Sequence, residues 1–372
     1  MKKLYLHSTA IGVAAMLGAA ATTVPAMAQD IGALEARVAE LEAEAESSRL
    51  SFTTSDDTTI ELYGFVRFEA FYDSDFEQGD LSLTGSLNTL TPTTGTFDTS
   101  VRVSRIGVRA TSETGIGTIV GQLEYDLFGS GGTSELRLRH ANVSLGGFTI
   151  GQTWTNFMPI GQYPSSADFN GPVGVTFARV PQVRYTGNAG DLTYSVSIEQ
   201  ATGRSDDPNF TAALQYSTDA YTVRIAGIAG TQQDGIGGED DITGVTLSAT
   251  AALWDGGHLG ATYLNGDGLG FLAIGGGDTL VGGAANNVEG YTIEARHDFG
   301  QFNVGAVYGY EEYEAGIAAT SINQLETIHV NAFWTPTDNF SVGVEYINGS
   351  RTDFTGAELE ADRIGASVTF TF

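Results

Sequence analysis

The chain has 372 residues, no cysteine, only two lysines (Lys2 and Lys3) and a formal net charge of −28. Lack of cysteine excludes a disulfide framework, a thiolate metal site and a Cys nucleophile. The acidity excludes a nucleic-acid partner, which needs basic surface to neutralise phosphates. With 49 glycines, 15 tyrosines and 20 phenylalanines against 8 prolines, the composition suits many strands and turns.

Residues 1–28 read as an export signal. Met1-Lys2-Lys3 is the basic start, Ile11 to Ala21 is apolar but too short to span a bilayer, and Ala26-Met27-Ala28 is a small-residue cleavage site. Residues 29–50 read as a coiled-coil helix capped by Asp30. Ile31, Val38 and Ala45 share one heptad position, and Leu34, Leu41 and Ser48 share another. So short a helix needs an attached oligomer to be stable, and a solvated helical linker is the alternative. Residues 51–58 are expected to be a polar linker.

From Thr59 to Phe372 apolar and polar residues alternate in segments of about ten, the spacing of a membrane β-barrel. The first segment sends Ile60, Leu62, Val66 and Phe68 to one face and Glu61, Arg67 and Glu69 to the other. Sixteen such segments can be read, ending at 361–372. Short turns such as Gly146-Gly147 and Asn188-Ala189-Gly190 alternate with longer connections at 74–98, 157–178, 231–241, 266–286 and 350–360. Alternating tight turns and long loops are the pattern of outer-membrane barrels. An even strand number places both chain ends on the periplasmic side, where the exported helix has to be. A soluble β-sandwich would explain the alternation, but not the regular order of connections. Tyr216 with Tyr221, Phe299 with Phe302, and Trp334 with Phe340 flank short turns, as an aromatic girdle requires. The expected fold is all-β, a 16-stranded antiparallel transmembrane barrel over residues 59–372 preceded by the periplasmic helix.

The connection at 157–178 is long and contains Pro and Gly without structure of its own. Such loops are usually functional, and this one is expected to fold into the mouth of the barrel and narrow it with Phe157, Tyr163, Phe169 and Phe177. Its ionisable group is Asp168. If apolar positions face lipid, alternation sends Arg67, Arg105, Arg109, Arg137, Arg139, Arg184, Arg224, Arg296 and Arg363 to the lumen, since a charge on the lipid face costs roughly 2–4 kcal/mol at the midplane. Gln152 before the loop, Asp168 within it and Arg179 after it complete the expected pore lining. Arg102 has the opposite parity to Arg105, so it lies outside the membrane level or follows a bulge. His140 and Asn142 have lipid-facing parity, which would suit a subunit interface. Guanidinium groups lining a pore favour anions and can hold carboxylates bidentately. Alternatively they pair with Glu61, Glu69, Glu124 and Asp126 and only stabilise the interior.

The last strand places Ile364, Ala366, Val368, Phe370 and Phe372 on one face and stops on phenylalanine. It resembles the C-terminal strand of Gram-negative outer-membrane proteins, which implies recognition of Phe372 by the barrel-insertion machinery. ELYGFVRFEAFYD in the first strand and SRIGVRA from Ser104 resemble trimeric porins. GQTWTNFMPIGQYPSSADFNGP at Gly151–Pro172, with RVPQVRYTG at Arg179–Gly187, resembles the DcaP-like trimeric transporters. That resemblance implies a homotrimer in the outer membrane, a periplasmic coiled-coil extension, a constriction at the loop between strands five and six, and small dicarboxylates as solutes. Other readings stay open: a non-selective general porin, a phosphate-type porin (weakly disfavoured by the lack of lysine after the export signal), or a structural tether whose helix binds peptidoglycan. Acidic residues near the outer loops, including Glu239, Asp240 and Asp241, suit cation bridging to lipopolysaccharide or simple solvation. An enzyme is not expected. The five histidines are scattered, and neither H-E-x-x-H nor G-x-S-x-G occurs. No cofactor or metal is expected.

Overall fold

The computed structural model describes residues 50–54, 58–129, 134–201, 205, 207–233 and 239–372. The expected signal and the helix up to residue 49 lie outside the described residues. Within them, strands β1 to β13 and β16 to β20 form one antiparallel sheet that closes on itself. In chain order the strands are β1 Leu50–Thr53, β2 Thr58–Asp73, β3 Thr96–Ser100, β4 Arg105–Thr114, β5 Gly117–Asp126, β6 Arg137–Leu145 and β7 Phe148–Trp154. Next come β8 Arg179–Ala189, β9 Leu192–Glu199, β10 Asn209–Ser217, β11 Tyr221–Gln233, β12 Glu239–Trp254 and β13 Gly257–Asp267. After the small hairpin of β14 Leu280–Val281 and β15 Ala284–Ala285 follow β16 Asn287–Phe299, β17 Phe302–Tyr313, β18 Ile322–Thr337, β19 Phe340–Asp353 and β20 Glu358–Thr371.

The closure is between β2 and β20, with Phe65 opposite Thr371 and Asp73 opposite Arg363. On its other edge β2 is covered by two successive segments, β4 beside Thr58–Phe65 and β3 beside Glu69–Asp73. They count as one wall position, as do β1 and β20 on the opposite edge of β2, so the eighteen strands make a barrel of sixteen. The sequence reading placed residues 51–58 in a linker. Instead, Leu50–Thr53 pair with Thr59–Leu62. There β1 continues the line of β20, whose end is tied to β2 by reciprocal Gly64–Phe372 backbone bonds of 3.0 Å. An unpaired strand edge is a site of aggregation, and β1 covers what β20 leaves open.

Alternation sorts the wall as expected. On β2, Val66 (58% exposed) and Phe68 (48%) face outward, while Glu69 (1%) and Asp73 (2%) face inward. Tyr216, Tyr221, Phe299, Phe302 and Trp334 are exposed beside the short turns. Phe302 and Trp334 stack with ring centres 6.4 Å apart. The two-residue turn between β6 and β7 is made by Gly146 (φ 57°) and Gly147 (φ 87°), the left-handed pair that a primed hairpin turn requires. Two connections are shorter than expected. β11 runs on to Gln233 and β12 starts at Glu239, while β19 reaches Asp353 and β20 begins at Glu358, so most of 231–241 and 350–360 is strand.

Inside, the lumen is divided. Inward-facing Ala213, Ala226, Ile228, Ile242, Leu264, Val288, Ile322 and Leu325, all from β10 to β18, pack with Phe157 and Val173 of the long loop and Leu269, Leu272 and Ala273 of the connection after β13. Ions are excluded from this apolar fill. The loop lies flat on the wall at Gly174, where a Cβ would strike the carbonyl oxygens of Tyr291 and Tyr310. The first connection also turns inward, and its 3-10 turn at Thr84–Thr89 buries Leu87. Arginine ion pairs line the polar side of the wall at β2, β5 and β6, and a polar cavity lies against β8 to β11.

Candidate permeation site

Three strands bring arginines to the polar side at the long-loop end. β4 begins with Arg105, β6 carries Arg137 and Arg139, and β8 begins with Arg179. The loop sends Phe169 to meet them. The guanidinium carbons of Arg105, Arg137 and Arg139 lie 5.9, 5.8 and 5.7 Å from its ring centre. Arg179 sits 4.7 Å over Trp154 and 5.6 Å from Phe177, and Arg139 is 5.7 Å from the same Trp154 ring. Phe169 also stacks on Phe128 at 5.1 Å and meets Phe177 edge-on at 6.0 Å. Four cations thus surround an aromatic floor, where cation–π attraction fixes guanidinium planes without consuming their charge.

Their partners differ. Arg139, 1% exposed, bonds Glu124 at 2.7 Å and Asp126 at 2.9 Å. Arg137 holds Asp126 through two bonds of 3.0 and 2.6 Å, but its side chain stays 36% exposed. Arg109 approaches Glu61 at 3.6 Å. Arg67 pairs with Glu69 at 2.7 Å and also donates to the Ala167 carbonyl of the loop. Arg363 is buried in a bidentate pair with Asp73, at 2.7 and 2.9 Å, and donates to Gly79 O. Among the described residues Arg105, Arg179, Arg184, Arg224 and Arg296 have no carboxylate within 4.0 Å, although each has a buried N–H without a partner.

Asp168 does not face the channel. It is buried, and its carboxylate accepts backbone N–H groups of Ser82 (3.0 Å), Asn170 (2.9 Å) and Gly171 (3.3 Å). Burial pushes its carboxyl above the usual range, against the pull of Arg363. Beside it Glu345 accepts Asp168 N–H at 2.8 Å and the Ser166 hydroxyl at 3.0 Å, with His329 Nδ1 at 3.3 Å. These acids anchor the loop. They do not oppose the arginines across open space.

Gln152 is also misplaced by the sequence reading. It pairs with Ala141, two residues along from the outward pair Ile150 and Val143, so it lies on the outer face. Its amide caps the carbonyl oxygens of Leu138 (3.3 Å) and Arg139 (3.2 Å). Those carbonyls are freed by a bulge. Glu124 opposes His140 while Tyr125 opposes Leu138, leaving Arg139 as the extra residue. One extra residue shifts the side-chain parity of everything after it. Hence His140 and Asn142, expected on the outer face, turn inward. His140 Nδ1 lies 3.0 Å from Thr153 Oγ1, and Asn142 donates to Gln122 at 3.2 Å. Arg102 lies in the break between β3 and β4, where it pairs with Asp80 and donates to Leu127 O at 3.2 Å. Its odd parity has that cause.

The barrel and inward loop are similar to solved outer-membrane channels. The outer membrane channel DcaP of Acinetobacter baumannii matches with a TM-score of 0.79 at 21% identity, over 86% of this chain and 99% of that one. OmpT of Vibrio cholerae matches at 0.60 and 16%, over 87% and 100%. An anion-selective porin from Comamonas acidovorans matches at 0.60 and 15%, over 85% and 100%. At such identities the likeness is one of fold. No curated protein matches by sequence. The model of the DcaP outer membrane protein family matches residues 27–220, just over half of the chain. The chain belongs to that family. It is an outer-membrane β-barrel with the porin channel fold.

Sequence reasoning missed three participants of the site. Phe128 and Trp154 hold the guanidinium groups, and the Arg139 bulge brings two basic groups to one wall height. The signal for the bulge was present as a polar pair, His140 and Asn142, on the apolar parity of an otherwise regular strand.

Proposed function

We propose that this barrel is a passive channel for small anions, dicarboxylates among them, acting as a homotrimer in the outer membrane. The observation that carries the reading is the group formed by Arg105 and half-exposed Arg137 at Phe169 and by Arg179 at the adjoining Trp154 and Phe177. Two of these have no carboxylate partner, so they keep a positive potential for a passing solute. Where the walls exclude water such a field is focused, and it raises the local concentration of counter-ions. The aromatic floor narrows the passage, and its rings offer apolar contact to the carbon skeleton of an organic acid. Arg67, Arg139 and Arg363 shape the wall through their ion pairs, and Arg109 stands toward the inner end of the same side. The remaining barrel surface suits lipid and lipopolysaccharide, and the C-terminal Phe372 suits delivery by the insertion machinery.

A non-selective sieve is the reading that the ion pairs of Arg67, Arg137, Arg139 and Arg363 would favour. The two separate on charge selectivity. Reconstituted in a planar bilayer under a KCl gradient, the selective channel gives a reversal potential of anion sign, and added succinate lowers the chloride current. A reversal potential near zero that succinate leaves unchanged supports the sieve instead.

A further inference from the structure

A second basic site lies nearer the short-turn end, apart from the arginines around Phe169. Arg184 is five residues past Arg179 along β8, about 16 Å toward that end. Arg224, only 8% exposed, projects inward from β11, three strands further round the wall. Between them is a cavity of about 200 Å³, walled by β8 to β11 and roofed by the first residues of the inward loop from Thr155 to Gly161.

The donors of this cavity lack acceptors. Arg224 donates one N–H to Asn156 O, but its Nη1 has no partner. Arg184 Nε and Asn156 Nδ2, in the same lining, are likewise buried and unpartnered. The lining contains no carboxylate. Glu199, the one acid on these four strands, borders the roof behind Thr155 and Asn156; it accepts from the Thr155 and Ser197 hydroxyls and from Asn156 N–H, at 2.5, 2.7 and 2.7 Å, and pairs with neither guanidinium. A buried donor without an acceptor costs about 1–3 kcal/mol, more when charged. Three in one cavity, two of them cationic, call for an anionic acceptor.

We infer that Arg184, Arg224 and Asn156 form a carboxylate-binding subsite on the inner side of the constriction loop. It takes the carboxylate of a small organic acid after that solute has passed the arginines around Phe169. This rests on the anion-channel reading and adds a second holding point to it. Two sites in series let a solute leave the first as the second captures it, which conduction through a binding channel requires.

The test uses the mature protein in planar bilayers, with succinate titrated on the short-turn side and block of the chloride current recorded. Arg184→Gln combined with Arg224→Gln should weaken the block by at least about tenfold, since hydrogen bonds to charged groups are strong ones. Equal block in the double variant and the parent, in a parent that is anion selective, overturns the subsite. A parent without anion preference overturns the channel reading beneath it. Crystals of the unaltered protein soaked in bromide give a measurement that needs no variant. An anomalous peak in contact with Arg184 Nε and Arg224 Nη1 supports the subsite, and bromide confined to the outer arginines contradicts it.

Discussion

What each lumenal arginine does follows from what lies within reach of its guanidinium. Arg139 is buried against two carboxylates, so its removal leaves Glu124 as an uncompensated buried charge and Asp126 with Arg137 alone. Arg139→Ala should therefore destabilise the barrel by about 3–5 kcal/mol, read as a lower midpoint in denaturant unfolding followed by tryptophan fluorescence. Arg105 lies against Phe65 and Phe169 with no acid to leave behind. Arg105→Ala combined with Arg137→Ala should weaken anion preference with the barrel still folded, checked by reversal potential and circular dichroism. A double variant with the parent's reversal potential would place the filter elsewhere. Asp168 belongs to a third kind. Its carboxylate serves three backbone N–H groups across two loops. Asp168→Ala should free the loop tip and raise current noise in single-channel records, with the sign of selectivity unchanged.

At the scale of elements, strands were the most legible part of the chain. Each alternates long enough for its parity to be counted, and most of the short turns are marked by Gly or Asn. Parity fails where the ladder is irregular. At Arg139 the extra residue is hydrogen-bonded to acids on a strand about 15 positions earlier, a pairing that no local pattern carries. At Arg102 the strand breaks for four residues between β3 and β4. The inward loop was legible as an insertion, since its length and composition break the rhythm. Its seating was not, because the apolar fill joins it to residues more than 100 positions away, such as Leu272 and Leu325. The loop and wall touch through backbone at Gly174. Gly174→Val should lift the loop from β16 and β17 and increase single-channel conductance. An unchanged conductance would show that the aromatic floor is held by Asp168 and the arginines alone.

For the whole molecule, a net charge of −28 and the proposed preference for anions look opposed, and distance reconciles them. Surface charges are screened over about 8 Å at physiological ionic strength. Carboxylates such as Asp362 and Glu326 lie on the outer face and bond tyrosine hydroxyls, from Tyr346 at 2.7 Å and Tyr308 at 2.8 Å. In the proposed channel a solute instead meets Arg105, Arg137 and Arg179 at contact range, while Asp168 of the loop and Glu345 of the wall are buried. In the proposed channel, local pairing, more than total charge, sets the sign of the passage. The most direct measurement is the zero-current potential of the reconstituted channel across a tenfold KCl gradient spanning physiological ionic strength. The arrangement of unpaired arginines predicts a potential of the sign given by chloride permeating faster than potassium. A potential of the opposite sign, following the net charge of the chain, would contradict it.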